Sequence, residues 1–202
     1  MKINEDLIIG DAGLSINDLN NKVDDLDVVY EKTLTSASTS ITISGLDIVK
    51  DGGAYEVIFI GAASDVCDAG ITLNGVREGY SQSAFGYTYN NTTSSGDNAG
   101  TVATGYRPYK QWWYYGIALN KGFTSIVRFN LYLSPLLKTS QSNCPYAEGI
   151  ASSTQVGRSW NYVITMQQSK AFDNITSITV TSTSTATFSP GTRLIVRKKK
   201  YK

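Results

Sequence analysis

The chain of 202 residues contains no histidine. This absence removes the commonest general base, the base of the usual catalytic triad and the commonest zinc ligand. The two cysteines, Cys67 and Cys144, are too far apart in sequence for a metal knuckle, and the sequence leaves open whether they pair or stay free. We therefore predict neither a metal nor a cofactor.

Without histidine, a pair of carboxylates is the remaining route to hydrolysis, as in glycosidases. Most acidic residues after residue 32 lie beside glycine or in turn sequences, where aspartate is favoured for its turn geometry. Glu56 alternates onto one face of its predicted strand and has no evident partner. We therefore predict that the protein is not an enzyme, and a glycan-cleaving spike is kept only as a less favoured alternative.

Long apolar runs and an excess of charge of one sign are also missing. No run reaches the 18 residues of a membrane span, and the start, MKINEDLIIGD, has an acidic centre that a signal peptide lacks. The net charge is +1, and five of the 18 basic residues lie in 197–202. We expect that tail to be a solvated end of the chain. A nucleic-acid-binding protein would instead carry its lysine and arginine residues on a folded face. These patterns predict cytoplasmic synthesis, no membrane and no nucleic acid.

Residues 15–30, SINDLNNKVDDLDVVY, carry apolar side chains at alternating steps of three and four. This heptad spacing is typical of a coiled coil. The apolar residues form a narrow seam along the helix, and packing against identical helices is the simplest way to bury it. We predict a helical neck over residues 15–31 that associates with copies of itself. The alternative is a short amphipathic helix that packs on its own domain. The seam residues are Ile16, Leu19, Val23, Leu26 and Tyr30.

After the neck, apolar residues recur with the period of two that is typical of strands. Predicted hairpin turns lie at Asn74-Gly75 and at Asn120-Lys121-Gly122. Residues 81–111 are predicted to be loop-rich, with short strands only near Phe85–Tyr89 and Thr101–Thr104. The remaining strands are predicted at 39–44, 54–60, 71–73, 113–119, 124–133, 160–166, 175–180 and 192–196.

No alternation of strands with helices occurs, so a parallel sheet is not expected. We predict a mainly β fold, a jelly-roll-like antiparallel β-sandwich over residues 32–202, preceded by the coiled-coil helix. In the strand near residue 130, Val127, Phe129, Leu131 and Leu133 share one face and are predicted to be core.

Aromatic residues crowd into 29 residues of the chain, from Tyr87 to Tyr115. Aromatic rings stack on the apolar faces of sugars, and tyrosine hydroxyls bond to sugar hydroxyls. A role in the core or in a subunit interface is the alternative, and within Trp112–Tyr115 alternation places half of the side chains on each face. The candidate glycan-binding residues are Tyr87, Tyr89, Tyr106, Tyr109, Trp112, Trp113 and Tyr114.

The opening MKINEDLIIGDAGLSINDLNNKV, the heptad neck and the close FSPGTRLIVRKK together resemble the head and tail fibre proteins of tailed bacteriophages. The resemblance implies a homotrimer in the virion, made in the host cytoplasm and released by lysis. It implies that residues 1–14 attach to capsid, tail or baseplate proteins, with Leu7, Ile8 and Ile9 as the anchor. It also implies that the β-domain projects and contacts host surface polysaccharide.

Two other functions stay open on the sequence. One is a purely structural capsid decoration protein without a ligand, and the other is a bacterial carbohydrate-binding module. The neck itself does not distinguish a dimer from a trimer, because Ile16 and Val23 at a with Leu19 and Leu26 at d suit two strands. The attachment point, head or tail, is also open.

Overall fold

The structure is a computed structural model that describes residues 8–9, 14–15, 28–90, 100–113, 118–133, 143–155 and 158–199. For residues 8–9, 14–15, 28–29, 87–90, 100–109, 154–155, 158 and 160 it describes the backbone alone. The described residues form strands, and no helix occurs among them. In chain order the strands are β1 (Ile8–Ile9), β2 (Leu14–Ser15), β3 (Val28–Thr33), β4 (Ser40–Ser44), β5 (Ala54–Gly61), β6 (Cys67–Leu73), β7 (Tyr80–Asn90), β8 (Gly100–Lys110), β9 (Ala118–Leu119), β10 (Ser125–Tyr132), β11 (Tyr146–Gln155), β12 (Arg158–Gln168), β13 (Ser177–Ser182) and β14 (Arg193–Lys198).

Two antiparallel sheets hold most of these strands. In the described part of the chain, the large sheet has the order β3-β14-β5-β10-β11-β12-β7-β8, and the small sheet has the order β4-β13-β6-β9. The prediction of a mainly β fold is therefore confirmed. A jelly roll divides eight strands between two sheets through two Greek keys, and this strand order does not show that pattern.

In the described part of the chain, one hydrophobic cluster joins buried side chains of both sheets. The small sheet contributes side chains such as Ile71 and Ile178, and the large sheet contributes Phe59, Phe129 and Leu194. The alternation predicted for β10 is confirmed, because Val127, Phe129, Leu131 and Leu133 are all buried. Each such buried aliphatic or phenyl side chain contributes about 1.5–3 kcal/mol relative to exposure.

The predicted neck is corrected at both of its ends. Ser15 belongs to β2, which pairs with β1 through Ile8↔Ser15. Tyr30 belongs to β3, pairs with Val196 of β14, and donates a hydrogen bond from its hydroxyl to the Gly45 carbonyl at 2.6 Å. The run VVYEKT is rich in β-branched residues, and one of its edges pairs with β14. The other seam residues, Ile16, Leu19, Val23 and Leu26, lie outside the described residues, and so does Leu7 of the predicted anchor.

Both predicted hairpin turns exist, but neither makes a hairpin. Asn74 and Gly75 have φ of 51° and 71°, the left-handed values that a tight turn of this kind requires. The chain then leaves the small sheet and enters β7 of the large one. The amide of Leu73 donates to the hydroxyl of Tyr80 at 2.8 Å, so the edge beside the turn is already occupied. The turn at Asn120–Gly122 likewise joins β9 of the small sheet to β10 of the large one.

The segment predicted to be loop-rich contains the two strands β7 and β8, of 11 residues each, which pair with each other. Glycine at position 86 permits this arrangement, because a Cβ there would lie 2.0 Å from the carbonyl oxygen of Asn161 on β12. Gly86, which lies inside the short strand predicted near Phe85–Tyr89, therefore serves the close packing of β7 against β12.

The basic end is folded as far as residue 199, which corrects the prediction of a solvated tail. The Arg197 guanidinium lies 3.5 Å from the Glu56 carboxylate, and the Lys198 ammonium lies 2.7 Å from the Asp51 carboxylate. The preceding turn, Ser189-Pro190-Gly191, is confirmed, with Gly191 at a φ of 86°. β14 lies between β3 and β5 in the interior of the large sheet.

Asp68 in β6 is half-buried, and among the described residues its carboxylate makes no hydrogen bond or ion pair. Burial raises its pKa. A raised native pKa means that the native state holds its proton at a pH where the unfolded state has lost it. The stability that Asp68 contributes is therefore lost as the pH rises above the ordinary aspartate value of about 3.9.

We expect Asp68→Asn to raise the melting temperature at pH 7 by about 3 °C, since asparagine carries no charge to desolvate. The gain should disappear near pH 3, where both states of the parent protein hold the proton. Thermal unfolding of the two proteins at pH 7 and pH 3 measures this difference. A gain of equal size at both pH values would contradict the electrostatic explanation.

Candidate functional site

The large sheet has one face toward the core and an outer face that points away from it. Two grooves lie on the outer face. Three consecutive strands place Ile150 of β11, Val163 of β12 and Phe85 of β7 directly opposite one another. These three side chains, which we call the apolar row, are 55%, 57% and 51% exposed. The row borders a shallow groove of about 560 Å³, with Ser152, Asn161 and Tyr162 among its other lining residues.

A second groove of about 650 Å³ lies on the same face, over β5, β10 and β11. We call it the polar groove, and its charged and amide-bearing lining residues are Glu56, Arg128, Asn130, Glu148 and Lys199. The register explains this grouping, because Asn130 of β10 pairs with Glu56 on one side and with Glu148 on the other. The polar groove is therefore built on three rigid strands rather than on loops.

A pair of tyrosines stands beside the polar groove. Tyr132 of β10 and Tyr146 of β11 pair in register, and their rings are stacked with centroids 6.0 Å apart. Both hydroxyls donate to Glu148, Tyr132 to Oε1 at 3.1 Å and Tyr146 to Oε2 at 3.2 Å. Partial burial and this bond to the carboxylate raise the pKa of Tyr146. Glu148 therefore holds the rings of Tyr132 and Tyr146 in place through their hydroxyls, and its own side chain remains exposed to solvent.

Glu56 has partners that sequence reasoning missed. Arg128 of β10 forms an ion pair and a hydrogen bond with its Oε1, and Arg197 of β14 approaches its Oε2 at 3.5 Å. Two basic side chains from the neighbouring strands therefore occupy this carboxylate. The signal was present in the sequence, because Arg128 shares the outward face of its strand with Asn130 and Tyr132, but the strand neighbours were not known.

Glu56 and Glu148 are the two carboxylates that line the polar groove. They lie two strands apart, which sets their backbones at a separation of about 10 Å. The Glu56 carboxylate forms ion pairs with arginines, and the Glu148 carboxylate accepts hydrogen bonds from tyrosine hydroxyls. The prediction that the protein is not an enzyme stays a prediction. Among the described residues, no group of three or more His, Cys, Asp or Glu side chains is arranged to hold a metal ion.

Of the seven aromatic residues predicted to bind glycan, the structure describes the side chains of Trp112 and Trp113. Trp113 is fully buried, and its indole Nε1 donates to the Gln167 carbonyl at 3.0 Å, so this residue belongs to the core. Trp112 is half-buried against Gly70, with the Arg77 guanidinium 5.8 Å from its ring. Tyr114 lies outside the described residues. The side chains of Tyr87, Tyr89, Tyr106 and Tyr109 are also outside them, although their backbones lie in β7 and β8.

The outer-face residues were missed because β11 was not predicted. Its sequence, YAEGIASSTQ, alternates Tyr146, Glu148 and Ile150 with small residues, and alanine, glycine and serine are poor indicators of a strand. In β12 the continuous apolar run around Val163 hides which residues face outward. The alternation in YAEGI was the signal that could have located β11.

Cys67 is buried and Cys144 is partly buried, and both are free thiols. Burial raises the pKa of the Cys67 thiol. The described residues include no helix that is long and apolar enough to cross a membrane.

Comparisons with known proteins found no match to a family model, to a curated protein or to a solved structure.

Proposed function

We propose that the chain is the subunit of a homotrimeric phage head or tail fibre, with a β-sandwich that contacts host surface glycans. In this proposal the N-terminal segment anchors the fibre to other virion proteins, and the two-layered β-domain projects from it. The observation that carries the host-contact part is the stacked pair Tyr132 and Tyr146 beside the polar groove.

The chemistry of the polar groove suits a sugar. The ring of Tyr146, which is 40% exposed, offers apolar surface on which a pyranose ring stacks. The carboxylate of Glu148 and the amide of Asn130 offer acceptors and donors for adjacent hydroxyl groups. The polar groove is open and shallow, so a single site would bind weakly, and three copies on one fibre would supply the missing affinity through multivalency.

Replacing Tyr146 with alanine in the full chain is expected to weaken glycan binding about tenfold, because its ring is the more exposed of the stacked pair. The measurement is binding to a panel of immobilised neutral and acidic bacterial surface polysaccharides. Val66→Ala is the matched control, since Val66 is 63% exposed and lies between β5 and β6, outside both grooves. Unchanged binding by Tyr146→Ala, or binding of no polysaccharide by the parent chain, would refute the glycan assignment.

The oligomeric part of the proposal has its own measurement. Light scattering of the full chain should give three times the chain mass of 21.9 kDa. A monomer would refute the fibre and would favour the carbohydrate-binding module, which needs no partner.

A purely structural virion protein is the second candidate function. The exposed apolar row favours it, because an uncovered apolar face on a β-sheet suits protein packing better than sugar binding. Trimeric mass without binding to any polysaccharide would support this candidate over the first.

A further inference from the structure

The polar groove is continuous with polar side chains on the two strands beyond β11. Thr165 of β12 lies directly across from Glu148, and Ser83 of β7 lies directly across from Thr165. Both of these hydroxyl side chains are exposed, and their oxygens are 3.2 Å apart in a hydrogen bond. Together they line a hollow of about 290 Å³, which we call the hydroxyl pocket. Polar groups in register therefore extend to both sides of Glu148.

Tyr146 borders both of these hollows. On the β10 side its ring stacks on that of Tyr132, and on the β12 side it pairs with Gln167 and lines the hydroxyl pocket. Its hydroxyl donates to Glu148, which lines the polar groove. One aromatic ring and the carboxylate that it binds therefore connect the polar groove to the hydroxyl pocket as one surface.

Five residues in register run along this surface, which we call the polar track. In spatial order from β5 to β7 they are Glu56, Asn130, Glu148, Thr165 and Ser83. Four strand spacings of about 4.8 Å give the track a length of about 19 Å. A pyranose ring is about as wide as one strand spacing, so the track has room for several consecutive sugar units of a chain that crosses the strands.

The hydrogen-bonding groups of the track have capacity left for sugar hydroxyls. Each oxygen of the Glu148 carboxylate accepts one bond from a tyrosine hydroxyl, and a carboxylate oxygen has two lone pairs. The bond between Ser83 and Thr165 uses one of their two O–H donors and leaves the other for a ligand. Both donors and acceptors are therefore available along the track.

The charges of the track suit a neutral polysaccharide. Two arginines neutralise the Glu56 carboxylate, whereas Glu148 forms no ion pair in the described part of the chain. Its negative charge at the centre of the track opposes the carboxylates or phosphates of an acidic polysaccharide. The side chains of the hydroxyl pocket are uncharged, and Lys199 lies toward the β5 end, 6.0 Å from the centroid of the Tyr132 ring.

We propose that the polar track binds several consecutive units within a linear neutral polysaccharide, and not a single sugar at the end of a chain. This inference rests on the glycan contact of the proposed function and assigns its ligand class. Tyr146 stacks on one sugar unit, and Glu148 accepts hydrogen bonds from the hydroxyls of that unit. The hydroxyls of Thr165 and Ser83 bond to the units that follow along the chain.

The test measures how binding to the full chain depends on the length and the charge of the glycan. The probes are the neutral and the acidic polysaccharides of the panel. The neutral polysaccharide that binds is also cut by partial acid hydrolysis into fragments of increasing length, beginning with the single sugar unit. Titration calorimetry gives the dissociation constants. We expect the constant to fall at least about tenfold from the single unit to the fragment that fills the track, and then to stay level.

The other outcomes separate this inference from the proposed function. If a single sugar unit binds as tightly as the longest fragment, the track assignment fails and the glycan contact stands. If the chain binds acidic polysaccharides and no neutral one, the charge assignment fails and the glycan contact again stands. If the chain binds no polysaccharide, the glycan contact fails and this inference fails with it.

A variant at the far end of the track tests the same point within the protein. Thr165→Val removes one hydroxyl and is expected to weaken binding of the long fragment about fivefold, with the single unit unaffected. Thr179→Val is the matched control, because the Thr179 hydroxyl forms the same kind of cross-strand bond, at 3.0 Å to Thr42 on the small sheet. Equal binding of the long fragment by the two variants would overturn the proposal.

A second variant obstructs the hydroxyl pocket. Ser83→Ile places a bulky side chain that suits a strand at this exposed position, and it is expected to weaken binding of the long fragment about tenfold. Thr42→Ile on the small sheet should leave binding unchanged. Binding of the long fragment by Ser83→Ile at the strength of the parent chain would show that the glycan does not reach β7, which would overturn the proposal.

Discussion

Replacing Trp113 with alanine is expected to lower the free energy of unfolding by about 4 kcal/mol. Trp113 is fully buried, its ring meets that of Tyr80 edge-on at 5.1 Å, and its backbone pairs with Ile71 of β6. Its indole also donates to the carbonyl of Gln167 in β12, so one residue ties the small sheet to the large one. The substitution leaves a cavity and an unpaired carbonyl at the same place.

Chemical denaturation with urea measures this loss, and a fall in melting temperature of about 12 °C should accompany it. Trp112→Ala is the neighbouring control, because its ring is only half-buried against Gly70 and should cost about 1 kcal/mol. Equal losses for the two tryptophans would show that the sheets are not joined through Trp113.

The substitution Gly149→Ala, which adds a single methyl group, is expected to lower the free energy of unfolding by about 3 kcal/mol. Gly149 on β11 lies between Phe129 of β10 and Ile164 of β12. A Cβ there would lie 2.1 Å from the carbonyl oxygen of Arg128 and 2.5 Å from the Cα of Phe129. Both are backbone atoms, so no side-chain rotation relieves the clash, and the strands must separate.

The measurement is the urea midpoint of Gly149→Ala against that of Ser152→Ala on the same strand. The control loses one exposed hydrogen bond to Asn161 and should change stability by no more than about 0.5 kcal/mol. A midpoint for Gly149→Ala equal to that of the parent would mean that β10 and β11 are further apart than the structure places them. Polysaccharide binding should also weaken, since the polar groove spans these two strands.

The fold class followed from the sequence wherever apolar residues alternate with polar ones. The alternation of β10 indicated which side chains enter the core, and the structure buries those residues. Alternation does not record which strand lies beside which. The pairing of Glu56 and Glu148 across Asn130 joins residues that are 92 positions apart, and no local pattern encodes such a contact.

The errors have a common physical origin. Asn74-Gly75 has the backbone conformation expected of a hairpin turn, but the Asn74 side chain accepts hydrogen bonds from the amides of Thr176 and Ser177, which fastens the turn to β13. Tyr30 matched the heptad spacing of a coiled coil, but in the structure its strand pairs with β14. In both cases a distant strand decided the outcome, and local preference alone could not reveal it.

The position of β14 has a consequence for how the protein is made. This strand pairs on one side with β3 and on the other with β5, both of which are synthesised more than 130 residues earlier. A nascent chain on the ribosome can pair β10 with β5, but it cannot join β3 to the sheet until Arg193–Lys198 has been synthesised. Translation that stops before Arg193 would leave the edges of β3 and β5 exposed and prone to aggregate. Synthesis of β14 therefore acts as a checkpoint, because a chain truncated before this strand cannot close the sheet between β3 and β5.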